Sequence, residues 1–130
     1  MSAEDNVNLL RRAHKVFAAR DVEAAMSLFT EDAVWHAPGG GALAGVKRGR
    51  DQVLEYSAEL LTRSADVLRL DVHDVLAGED HGVSLLQQHA ERDGEVFDHH
   101  VVLVVHTRDG QFSEVWEFHE DDSEYDRFWG

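Results

Sequence analysis

The sequence predicts an α+β domain in which helices come first and an antiparallel sheet follows. Apolar residues recur at helical spacing up to Leu61, and at strand spacing after Ser64. Asp93-Gly94 and Asp109-Gly110 punctuate the second half as hairpin turns do. No repeat and no linker rich in Pro or Ser divides the chain, so residues 1–130 read as one domain.

Each element has its own signal. Val7, Leu10, Ala13, Val16 and Phe17 fall on one side of a helix over residues 5–19. Asp21 can cap a short second helix with Val22, Ala25, Met26 and Phe29 on one side. Residues 32–36 form a short strand ending at Pro38, which cannot donate to a ladder. Residues 39–49 hold five Gly and read as a mobile loop. Asp51 can cap a third helix with Val53, Tyr56, Leu60 and Leu61 facing inward. Leu68 to Val75 then alternates as a half-buried strand does, and Val83–Glu91, Val96–Thr107 and Phe112–His119 complete four long strands. The acidic tail from Asp121 to Gly130 ends in Phe128-Trp129 and reads as a short helical turn laid over the sheet. A curved sheet with helices on its concave side leaves a deep cleft.

Composition excludes several function classes. At 43% apolar and 29% charged residues the chain can offset its folding entropy. No apolar run approaches the ~20 residues of a membrane span. The polar start MSAEDNVNLLRR is no signal peptide, so a cytoplasmic location is expected. With no Cys there is neither disulfide nor thiolate metal site. A net charge of −14 repels phosphate backbones and anionic membranes, so neither nucleic acid nor membrane is an expected partner. The nine His show no helical ligand pair, and no phosphate loop, dinucleotide fingerprint or nucleophile elbow occurs, so no metal or cofactor is expected.

Three runs resemble the SnoaL-like and ketosteroid-isomerase-related branch of the nuclear transport factor 2-like superfamily. They are Leu28-Phe-Thr-Glu-Asp-Ala-Val-Trp-His36, the loop holding Pro38-Gly39, Leu43-Ala-Gly45 and Gly49-Arg-Asp51, and Arg108-Asp-Gly110 with Glu114-Val-Trp-Glu-Phe118. The resemblance implies a cone-shaped, strongly curved, mostly antiparallel sheet wrapped around three N-terminal helices. It also implies homodimers formed through the outer sheet face, and proton transfer inside an apolar cone without metal or cofactor. The steroid-isomerase residues themselves are missing. Ala37 stands where that branch keeps its Asp base, the first helix has no Tyr, and the second acid's place falls near Leu103. SnoaL-type cyclases keep an acid in the last strand, and here Val115-Trp116-Glu117 leaves a carboxylate at that position.

Alternation along the last strand puts Val115, Glu117 and His119 on one face, and Phe112, Glu114, Trp116 and Phe118 on the other. A carboxylate on an apolar face can take and return a proton near neutral pH. Glu117 is therefore the expected base or acid, with His36, His119 and His99 as helpers. A three-residue turn at Arg108-Asp109-Gly110 sets His99 opposite His119, whereas a two-residue turn sets His100 there; the first is preferred and the choice stays open. His36 is expected beside the pocket mouth. Trp35, Tyr56, Leu103, Val115 and Trp116 are the expected substrate-binding residues, although Trp35 and Trp116 also suit core or dimer contacts. Three functions follow: acid–base catalysis on an apolar carbonyl or hydroxyl compound, by cyclisation, isomerisation or dehydration; binding of an apolar small molecule without turnover; or a dimeric interaction module with a vestigial cavity.

Overall fold

The computed structural model describes residues 2–64 and 67–130. Helix α1 (Ala3–Ala18) begins at Ser2, whose hydroxyl accepts from the Asp5 amide while the Asp5 carboxylate accepts from the Ser2 amide. Asp21 caps α2 (Val22–Leu28) through the Ala24 amide, as expected. Strand β1 (Phe29–Ala37) runs longer than its sequence signal. The Gly-rich segment is not a loop throughout, because β2 (Gly45–Arg48) pairs antiparallel with β1. Helix α3 (Arg50–Arg63) starts after Gly49, at φ +85°, with no side-chain cap; Asp51 lies inside the first turn and does not cap it.

The four long strands are β3 (Leu68–Ala77), β4 (His81–Arg92), β5 (Glu95–Arg108) and β6 (Gln111–His119). The sheet order is β2-β1-β6-β5-β4-β3, and only the β1–β6 pair is parallel. Helix α1 packs on β3 and β4, and α3 packs on β1 and β2. A fourth helix, α4 (Asp122–Trp129), follows β6, where only a helical turn was expected. Its Tyr125, Phe128 and Trp129 are buried with Tyr56, Leu60 and Phe97. The tail is thus part of the core. A second cluster joins Leu9, Leu10 and Leu28 to Val105, Phe112 and Val115, and Trp35 packs against both. No described helix is long and apolar enough to cross a membrane.

One irregularity decides which side chains of β6 face inward. Arg108 pairs with Gln111, so the turn is the two-residue Asp109-Gly110, both at positive φ, and not the preferred three-residue one. Thr107 then pairs with Phe112 but His106 with Glu114, so Ser113 is an extra residue on β6. The bulge turns Phe112 inward, where it is buried, and removes it from the outer row in which alternation had placed it. It also sets His119 opposite Val101, which corrects both register alternatives.

Candidate active site

An apolar pocket of about 300 Å³ lies between the helices and the inner face of the sheet. Leu10, Ala13 and Phe17 of α1 form one wall; Leu103, Val105 and Val115 form part of the other. Arg20, Asp21 and Val22, all exposed, edge it at the α1–α2 turn. Glu117 is the carboxylate on its sheet wall, and it is only 6% exposed.

Glu117 is held by three donors. Its Oε1 accepts from Trp35 Nε1 at 2.9 Å and from the Tyr56 hydroxyl at 2.7 Å. Its Oε2 meets His119 Nε2. His119 Nδ1 lies 2.9 Å from His99 Nε2. The Tyr125 ring stacks on His119 with centroids 3.7 Å apart, and its hydroxyl is 3.3 Å from that of Tyr56. β1, α3, β5, β6 and α4 therefore each supply a member of one polar cluster, and buried polar groups need such partners.

Burial, and next the Glu117 charge, push the Tyr56 and Tyr125 hydroxyls above the ordinary tyrosine range. Both stay protonated and can donate. Burial, and next the neighbouring His119, push His99 down to about 4. A neutral His99 that donates from Nε2 leaves His119 Nδ1 as acceptor and His119 Nε2–H aimed at Glu117. The buried His99 Nδ1, which has no partner among the described residues, is then a bare acceptor. This tautomer order is assigned from the network.

The depressed His99 predicts a pH effect on stability. An unfolded His titrates near ~6.5. As pH falls below that value, the unfolded chain takes up a proton that the folded chain refuses until about 4. Stability from this group is therefore full above ~6.5, falls by about 3 kcal/mol toward pH 4, and is level below it. Denaturant titrations at several pH values should show the slope in the wild type and a shallower one in His99→Leu, the remainder coming from His14, whose pKa is also lowered.

The structure brings together Glu117, His119, Trp35 and Tyr56, with His99 behind His119 and Leu103 and Val115 in the pocket wall. His119 and His99 do not line the pocket themselves. Two residues fall elsewhere. His36 points to the outer face, where its Nε2 is 2.5 Å from Glu114 Oε2 and its ring stacks on Trp116. It is not beside the pocket mouth, because it follows the inward-facing Trp35 by one residue. Trp116 likewise lies outside, between His36 and His106, and cannot bind a ligand in this pocket. Sequence reasoning missed Tyr125, although Tyr125, Phe128 and Trp129 show the i, i+3, i+4 spacing of a helix face. It also missed His14, which lines the pocket and lies 2.9 Å from Ser84 Oγ. Burial, and next Arg11, lower the pKa of His14.

Residues 10–115 match the SnoaL-like domain model. The uncharacterised protein Mb0035 of Mycobacterium bovis is 28% identical over 130 residues, covering 99% of each chain. Bal32a, from a soil-derived mobile gene cassette, superposes with a TM-score of 0.95 at 26% identity over 98% of each chain. A candidate SnoaL-like polyketide cyclase from Jannaschia sp. CCS1 gives a TM-score of 0.78 at 18% identity, over 91% of this chain and 87% of that one. The architecture is that of nuclear transport factor 2-like proteins.

Proposed function

The chain belongs to the SnoaL-like domain family, and from that premise we propose that it is a small-molecule enzyme performing acid–base chemistry on an apolar carbonyl or hydroxyl compound. One observation carries the reading: a buried carboxylate, gripped by three donors, stands in the wall of a mostly apolar pocket. Glu117 takes a proton from a carbon beside the ligand carbonyl, or from a hydroxyl, and returns it at another atom. Cyclisation, isomerisation and dehydration all need such a transfer. Trp35 and Tyr56 fix the orientation of Oε1, and His119, backed by His99, fixes Oε2. No step requires a metal or cofactor. The test is turnover of a carbonyl compound by the wild type and its loss in Glu117→Gln.

A second reading, binding without turnover, draws on the same grip. Glu117 already accepts from three protein donors, which also suits a purely structural carboxylate. Activity in the wild type together with an inactive Glu117→Gln separates the two.

We also propose a homodimer formed through the outer sheet face. Trp116 and Phe118 lie on that face, and Phe118 is 52% exposed. Val102 and Val104 stand across from them on β5. An exposed aromatic ring flanked by half-buried apolar side chains suits a contact surface. Sedimentation should give a dimer for the wild type and a monomer for Phe118→Glu; a wild-type monomer at micromolar concentration contradicts the proposal.

A further inference from the structure

The polar side chains that line the pocket are, with one exception, already engaged within the protein. His14 meets Ser84, Ser57 donates to the Val53 carbonyl, and Tyr56 and Glu117 hold each other. Arg20 donates to the Phe17 and Leu68 carbonyls, and Asp21 caps α2. Gln88 is the exception. It lies on β4, lines the pocket and is only 4% exposed, yet its buried Oε1 has no partner among the described residues. A buried amide oxygen without a partner costs free energy in the empty protein, and a ligand group that donates to it can recover that cost.

We propose that Gln88 is the recognition residue of this pocket, and that its amide binds a second oxygen function of the ligand, remote from the group that meets Glu117. The inference rests on the acid–base reading above for the place of the first oxygen. The unpartnered atom is the amide oxygen, an acceptor, so a neutral ligand hydroxyl that donates to it satisfies it. Sheet register gives the spacing. Gln88 stands opposite His99 on β5, and Glu117 stands opposite Leu103. The two are four residues apart along the sheet and two strands across it, roughly 16 Å between Cα atoms in a flat sheet and less in a curved one. Both side chains reach into the pocket, which shortens the gap further. The fitting ligand is therefore a neutral, mostly apolar ring compound with oxygen functions at opposite ends.

The test uses 2-tetralone, with one oxygen, and 6-hydroxy-2-tetralone, with oxygens at both ends. Dissociation constants are measured by calorimetry for wild type, Gln88→Met and Gln88→Leu. The wild type should bind the hydroxylated probe about tenfold more tightly, as one added hydrogen bond to a buried amide requires. In both variants the ratio should fall to about one, and their melting temperatures should not drop, because an unpartnered amide has been replaced by an apolar group. Equal binding of the two probes by the wild type, binding of neither, or an unchanged ratio in Gln88→Met overturns the assignment. Glu117→Gln with the wild-type binding ratio but wild-type turnover would sink the acid–base reading and leave Gln88 in place.

Discussion

Trp129→Ala is expected to destabilise the chain by about 3–5 kcal/mol, the range for removing a fully buried large aromatic. Trp129 is 1% exposed and meets Phe128 edge-on at 5.0 Å. The helix that carries it is tied down on several sides. Arg63 donates to the Trp129 carbonyl at 2.9 Å, Arg92 to the Phe128 carbonyl at 2.7 Å, and the Gly40 amide to Asp126 at 2.8 Å. The indole N–H is buried without a partner among the described residues, so its removal offsets only a small part of the lost packing. The same helix presses Tyr125 onto His119, so loosening it disturbs the Glu117 cluster as well. Chemical denaturation of the variant measures the first effect. The second should appear as a weakened pH slope from His99, whose burial depends on the same packing.

Glu117→Gln is expected to lower turnover by about 10²- to 10⁴-fold, the usual contribution of a positioned acid–base group. The amide keeps nearly the same shape and one oxygen, so Trp35 and Tyr56 retain an acceptor. Its NH₂ now faces His119 Nε2, which must turn that nitrogen into an acceptor and move its proton to Nδ1. Since His99 lies against Nδ1, the whole His pair has to change tautomer. The loss should therefore fall on the rate with little change in ligand affinity, because the apolar walls are untouched. A parallel rise in the dissociation constant would point instead to a collapsed pocket.

Much of the fold was legible in the sequence because its signals are local. The α1 stripe, the Asp21 cap and the two Asp-Gly turns are each read within a few residues. What escaped depends on distant partners. β2 is four residues long and exists only because β1 accepts it. The Ser113 bulge has no residue signature, yet it sets which side Phe112 faces and which residue meets His119. Tyr125 and Trp129 enter the core only once the sheet has curved far enough for α4 to cover it. Part of the site could have been corrected from the sequence itself. Trp35 and His36 are adjacent on one strand, as are Val115 and Trp116, so neither pair can face one pocket. Glu117 was reached from the resemblance and from strand alternation, Tyr56 from helix amphipathicity, and the two share a hydrogen bond.

The decisive question is whether Glu117 moves protons for a ligand in the pocket. Proton NMR in deuterium oxide can follow the loss of the acidic hydrogens beside the carbonyl of 2-tetralone, with calorimetry confirming that wild type and Glu117→Gln are equally occupied. Exchange with the wild type is expected to run at least a hundredfold above the Glu117→Gln rate. Equal exchange by the two proteins, or no acceleration by an occupied wild type, would contradict the acid–base role of Glu117.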